Sequence, residues 1–178
     1  MVGRTSNKKL HSGEAMAVVR QVACTNTALR RASRRLGQLY DEALAPTGLR
    51  ATQVSLLTQI QVIADSGSKL GPTLQDLAGD LALRVSGISH ALSPLVRDDL
   101  VELLPDPADA RVKHALLTAK GRAKLAKAVQ YWAIANRHVE KVMGSVKAAK
   151  LRELADQISL EQFDLSVETK PKLSRSKG

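Results

Sequence analysis

A mostly helical fold with one small β-hairpin is predicted from three features of this 178-residue chain. Apolar residues recur at spacings of three and four in six separate stretches, the period of an amphipathic helix. Two of those stretches are short and adjacent: Leu74–Leu81, apolar at Leu74, Leu77, Ala78 and Leu81, and Arg84–Arg97, apolar at Val85, Ile88, Leu92 and Leu95. After them, Val101–Leu104 and Lys113–Thr118 read as strands on either side of a polar turn, Asp106–Arg111. Aromatic residues are only 2% of the chain, so its core must be built of Leu, Val, Ile and Ala, side chains that suit helices packed at close range.

Taken in order, residues 1–12 are polar and basic and read as a flexible lead-in. From Ala15 one helical face carries Val18, Val22, Leu29, Ala32, Leu36, Leu39 and Ala43, and the run ends at Pro46-Thr47-Gly48. The other face carries Arg30, Arg31, Arg34 and Arg35. Thr52–Ala64 is predicted to bury Leu56, Leu57, Ile60 and Ile63, and Asp65–Lys69 is a loop by its turn-forming content. Gly71-Pro72 breaks the chain, and Thr73 with Asp76 forms a capping box for the next helix. A turn near Ala82-Leu83-Arg84 leads into the Arg84–Arg97 helix, in which Pro94 should produce a kink or cost one hydrogen bond. Two short helices and a turn are a helix-turn-helix, and with the hairpin they make a winged helix. Thr118 caps a long helix through Leu125, Val129, Ala133 and Val142 to Met143, where Gly144-Ser145 interrupts. A last helix, Val146 to about Ile158, is followed by a Lys- and Ser-rich tail, residues 166–178, expected to be flexible. The division is therefore a helix at 13–48, a winged helix lobe at 49–118 and further helices at 119–165. The first helix is too long to be covered within one subunit, so helices 13–48 and 119–165 are expected to join two copies of the chain as a homodimer.

In the Arg84–Arg97 helix, the face opposite the apolar stripe carries Ser86, Ser89, His90, Ser93 and Arg97, with Gly87 among them. Small hydroxyls, one imidazole and cationic ends suit the major groove of DNA. A net charge of +10 and a pI near 10.0 call for a polyanion. With one Phe, one Trp and two Tyr there is no platform for stacking single-stranded bases, so double-stranded DNA is favoured over single strands or an anionic membrane. Ser86, Ser89, His90 and Ser93 are candidate base or phosphate contacts; Arg84 and Arg97 are candidate phosphate contacts. The four histidines are scattered, no cysteine pair exists and no phosphate loop or Gly-x-Ser-x-Gly appears, so no metal, cofactor or enzymatic activity is expected. A single cysteine, no bilayer-spanning run and no signal-peptide core point to a cytoplasmic protein with no membrane partner.

Leu100-Val101, Asp106-Pro107-x-Asp109-x-Arg111 and Leu117-Thr118-x-x-Gly121, together with Tyr40-Asp41-x-Ala43-Leu44-x-Pro46-x-Gly48-Leu49, resemble the MarR family of transcriptional regulators over roughly Val18–Phe163. The resemblance implies a homodimer of winged helices held by its first and last helices and reading a pseudo-palindromic operator. It implies that Arg111 enters the minor groove beside the recognition helix, that Asp109 orients Arg111 through an ion pair, and that Lys113 and His114 flank the wing as weaker phosphate contacts. It implies a crevice for a small anionic or aromatic effector, here drawing on Arg30, Arg34, Gln38 and the Leu56–Ile60 face, although a solvated arginine surface accounts for those residues equally. Asp99 stands where the family usually has Gly, and Leu103 where it commonly has Arg. Two alternatives stay open: a non-specific architectural DNA-binding protein, and a regulator that senses oxidants through Cys24, whose pKa Arg30 and Arg31 could lower.

Overall fold

The computed structural model describes residues 24–67 and 70–159. Among the described residues, eight named elements and one short 3-10 turn follow each other as α1 (Thr25–Leu44), the turn Ala45–Thr47, α2 (Ala51–Asp65), α3 (Leu74–Asp80), α4 (Val85–Arg97), β1 (Val101–Pro105), β2 (Lys113–Leu117), α5 (Ala119–Met143) and α6 (Ser145–Ser159). This is a mostly helical chain with a two-stranded antiparallel wing. Residues 15–23 of the expected first helix, both tails, and Ser68 and Lys69 of the expected loop lie outside the described residues.

Each junction follows from local chemistry. Pro46 opens the 3-10 turn, which Gly48 closes at φ 70°, donating its N–H to the Ala45 carbonyl. Thr73 Oγ1 accepts from the Asp76 N–H while the Asp76 carboxylate accepts from the Thr73 N–H, so the capping box that starts α3 is complete. Ala82 turns the chain between α3 and α4 at φ 49°. Thr118 caps α5 by accepting from the Gly121 N–H, and its own hydroxyl donates to the Asp99 carbonyl. Asp99 has φ 59°, the left-handed region that glycine adopts most easily. That conformation explains why glycine is usual at this place in the family; an aspartate is among the side chains that tolerate it.

The core lies where α2, α3, α4, the wing and α5 converge, and Leu57, Ile60, Leu77, Ile88, Leu92 and Leu95 are among its most deeply buried large side chains. Ile88, Leu92 and Leu95 sit on one stripe of α4, as their spacing requires. Val85 does not complete that stripe. It begins the helix beyond the edge of the core and is 39% exposed, as is its neighbour Leu83 at 51%. Helix α4 continues through Pro94 to Arg97, and the ring leaves the His90 carbonyl without the amide partner that position would otherwise supply.

The wing ladder pairs Val101 with Leu117 and Pro105 with Lys113. It gains a third edge from the segment before α3: the Ala115 N–H donates to the Pro72 carbonyl, and Thr73 bridges to His114. The wing is thereby tied to the start of the helix-turn-helix. At the other end the Thr118 N–H donates to the Leu100 carbonyl, and the first turn of α5 lies so close that a Cβ at position 121 would collide with that carbonyl. Only glycine fits Leu117-Thr118-x-x-Gly121 here. Helices α1 and α6 pack along α5 to form an arm continuous with this core, in which Tyr40 and Trp132 stack with centroids 4.5 Å apart. Val129, Ile134, Val142, Val146, Leu154 and Ile158 of that arm are exposed within a single chain.

Gly121→Ala should lower the stability of the fold by about 2 kcal/mol or more, the cost of forcing a methyl into packed backbone. Urea denaturation followed by circular dichroism would show it as a fall in midpoint, and an unchanged midpoint would refute the contact.

Candidate nucleic-acid interface

Burial of the α4 stripe turns the opposite face outward, and Ser86, Ser89, His90, Ser93 and Arg97 are all exposed. The Ser89 hydroxyl donates to the Val85 carbonyl at 3.1 Å and the Ser93 hydroxyl to the Ser89 carbonyl at 2.9 Å. With their protons turned back onto the helix, these two oxygens face solvent as acceptors, able to receive the exocyclic amino groups of cytosine or adenine. Arg84 is exposed at the helix N-cap. Arg97 is exposed at the last turn, with Nε 3.2 Å from the neighbouring Asp98 carboxylate.

The wing tip is braced in detail. Arg111 meets Asp109 through two parallel contacts, Nε to Oδ1 and an Nη to Oδ2, each 3.0 Å, and its backbone N–H donates to the same carboxylate. Arg111 holds the Asp109 carboxyl below the usual carboxylate range. The arginine side chain is nevertheless 91% exposed, so the pair aims the guanidinium outward without covering it. One step back, Asp106 Oδ1 accepts from the N–H groups of Ala108 and Asp109, an Asx turn that sets the path of the tip. Lys113 is exposed where the return strand begins.

His114 has a different place from the one expected. It is buried between the wing and the segment before α3, with Nδ1 2.9 Å from the Gly71 carbonyl and Nε2 2.9 Å from Asp106 Oδ2. Neither nitrogen faces solvent, and the expectation of a phosphate contact at His114 is overturned. Successive side chains of a strand leave on opposite faces, so the exposed Lys113 is followed by His114 turned onto the segment before α3. Asp106, which the sequence places in a turn and in the Asp-Pro-x-Asp-x-Arg motif without a role of its own, is the further member of this group; the signal available was an Asp-Pro opening a turn three residues before another aspartate.

The expected effector crevice is not assembled from the residues named for it. Arg30 and Arg34 line an open depression on α1 with Leu29 and Ser33, Gln38 is exposed, and Leu56, Leu57 and Ile60 are closed inside the core. A different groove of about 470 Å3 runs between α1, α5 and α6 and is mainly apolar, lined among others by Leu36, Tyr40, Trp132, Leu151 and Ile158. Cys24 is exposed at the N-cap of α1. Its thiol pKa is lowered below 9.0, first by a hydrogen bond from the Thr27 side chain and then by the Thr27 backbone N–H, rather than by the arginines. Among the described residues no group of His, Cys, Asp and Glu could hold a metal ion, and no helix of the described residues is long and apolar enough to cross a membrane.

Charge is distributed unevenly. The lobe 49–118 contains six Lys/Arg and eight Asp/Glu and is net −2, while the remainder of the chain carries +12. The exposed arginines of the lobe therefore stand in a field that is not itself strongly cationic.

A helix-turn-helix with an outward polar face, followed by a hairpin that projects an aspartate-braced arginine, defines a winged helix protein. No protein-family model and no curated protein matches the chain. Solved structures do. The M. tuberculosis transcriptional regulator MosR, in complex with DNA, is 36% identical over 78% of this chain and 100% of that one, with a TM-score of 0.62. The repressor CouR, bound to a 23-mer duplex, is 24% identical over 86% and 100%, with a TM-score of 0.67. A MarR-family regulator from Rhodococcus sp. RHA1 is 23% identical over 77% and 93%, with a TM-score of 0.64. The chain belongs to the MarR family of winged helix transcriptional regulators.

Because the Cys24 thiol is exposed and acidified, alkylation by iodoacetamide in the folded chain should reach half its maximal rate below pH 9.0, the ordinary value for this thiol. Thr27→Val should move that midpoint upward. Identical pH–rate profiles for the two proteins would contradict the assigned cause.

Proposed function

We propose that this chain is a sequence-specific regulator that binds double-stranded DNA as a homodimer and represses transcription. The observation that carries the reading is the pairing of two outward surfaces: the small polar face of α4 and the exposed, doubly held Arg111 of the wing. A helix of this width presents Ser86, Ser89, His90 and Ser93 to base edges in the major groove, with Arg84 and Arg97 placed for phosphates. Arg111 then enters the adjacent minor groove, where the negative potential is deepest. The complex of MosR with DNA, at 36% identity, supports the same partner here.

A homodimer follows from the arm. Val129, Ile134, Val142, Val146, Leu154 and Ile158 expose apolar surface on helices that one chain leaves uncovered, and a second copy packed there would set two α4 helices across a dyad. Such a dimer reads a pseudo-palindrome in successive major grooves. A protein covering that length of a promoter obstructs polymerase, which makes repression the direct outcome of binding. An effector that stabilised a different spacing of the two lobes would release the DNA. The groove between α1, α5 and α6 favours an apolar or aromatic effector over an anionic one, because Arg30, Arg34 and Gln38 lie outside its lining. The competing reading, non-specific architectural binding, is supported by the location of the positive charge outside the lobe.

Selection from a random duplex pool decides between the two. The winner and a scrambled duplex would be titrated at two salt concentrations with the parent, Arg111→Ala and His90→Ala. The expected result is a palindromic winner preferred by roughly 10³-fold, with both variants weakened. No enriched motif, or a steep salt slope shared by both duplexes, would contradict specific regulation.

A further inference from the structure

Among the described residues of the lobe, His114 is the one buried titratable side chain, and both of its ring nitrogens face acceptors. A neutral imidazole has a single N–H and could serve only one of the Gly71 carbonyl and the Asp106 carboxylate. Serving both requires the imidazolium. The two acceptors belong to different parts of the lobe: Gly71 precedes α3, whereas Asp106 opens the wing turn. Through Asp106 the contact continues to the N–H groups of Ala108 and Asp109, and through Asp109 to Arg111. An unbroken set of hydrogen bonds thus runs from the base of the helix-turn-helix to the arginine at the wing tip.

We infer that His114 is a positioning residue whose imidazolium fastens the wing to the helix-turn-helix, so that loss of its proton loosens Arg111 and weakens binding to duplex DNA. The inference rests on the DNA-binding reading given above. The charged groups that face the ring among the described residues are both acidic: Asp106 from the turn and Asp76 from α3. From β1 the ladder places Leu104 opposite, and the segment before α3 presents backbone and Thr73. The surroundings favour the charged form. The hydrogen bond to Asp106, and after it that to the Gly71 carbonyl, raises the His114 pKa above 6.5 against the opposing effect of burial. A raised pKa in the folded state means that the brace is complete below pH 6.5 and fades as pH climbs through the raised value. Asp106 acts in the opposite sense at much lower pH: its carboxyl is held below 3.8, first by His114 and then by the Ala108 and Asp109 N–H groups, so it stays ionised throughout the range in which His114 titrates.

His90 on the exposed face of α4 is a second histidine, itself a candidate DNA contact, and the experiment must separate the two. Binding of the selected duplex by the full chain would be followed by fluorescence anisotropy at pH 6.0 and at pH 8.5 at fixed ionic strength. The parent should lose roughly three- to ten-fold in affinity over that interval, the scale of one hydrogen bond made or lost. His114→Gln, which keeps a donor but cannot titrate, should show no such loss. Asp106→Asn, which keeps the turn acceptor but removes the charge, should move the loss to lower pH. His90→Asn should weaken binding at both pH values and keep the parent's slope, while Arg111→Ala should be weak and flat. NMR of the His114 ring in the DNA-free protein supplies a readout that needs no DNA: a midpoint above 6.5, falling in Asp106→Asn, is expected. A His114→Gln protein with the parent's pH slope, or a His114 midpoint at or below 6.5, would overturn the inference. If no duplex is bound at either pH, the DNA reading fails, and the proposed consequence of the brace fails with it, whereas the NMR midpoint still reports whether the brace exists.

Discussion

Burial of Ile88, Leu92 and Leu95 against Leu57, Ile60 and Leu77 is the constraint from which the rest of the lobe follows. These three side chains fix the rotation of α4 about its axis. A helix held by one stripe has no choice over the residues it turns to solvent, so Ser86, Ser89, His90 and Ser93 face outward because the apolar residues face inward. The same core receives Val101, Ala115 and Leu117 from the wing, which fixes the hairpin relative to α4. Position and exposure of the candidate DNA contacts are consequences of hydrophobic packing, and the polar residues have only to be small enough not to obstruct the groove.

Around that core, polar contacts set the finer geometry. The Thr73–Asp76 capping box fixes the entry to α3; Thr118 both caps α5 and holds the Asp99 turn; Gly121 admits the Leu100 carbonyl. His114 and Asp106 carry this order to the wing tip. Electrostatics then divides into two scales. Individual arginines of the lobe are exposed and directed, yet the lobe as a whole is net −2, and the +12 on the remainder of the chain must supply any long-range attraction to a polyanion. Attraction and recognition are thereby assigned to different parts of the molecule.

Much of this was legible in the sequence, for identifiable reasons. The helices of the lobe and the long α5 were readable because their apolar spacing, caps and breakers agree with one another, as at Thr73, Thr118 and Gly144. The Asp109–Arg111 contact is local, two residues apart, and its type is implied by the motif. What escaped depended on non-local packing. His114 lies next to an outward lysine and reads as its companion, because nothing in the strand shows that residues 71–73 pair along its edge. Val85 has helical spacing with Ile88 and Leu92, but the core ends before reaching it. The Leu56–Ile60 face lies under α3, α4 and the wing rather than in a crevice, since periodicity tells which face is apolar and not what covers it.

In the proposed complex α4, and not the more strongly charged surface of α1, lies against the bases. Site-specific photo-cross-linking distinguishes the two surfaces. A photoreactive residue would be placed in turn at Ser89 on α4 and at Arg34 on α1, and each protein irradiated on the selected duplex. Base cross-links are expected from position 89, symmetric about the dyad of the site, and none to bases from position 34. Base cross-links from position 34 with none from position 89 would contradict this arrangement, and would place DNA recognition on the arm rather than on the winged helix.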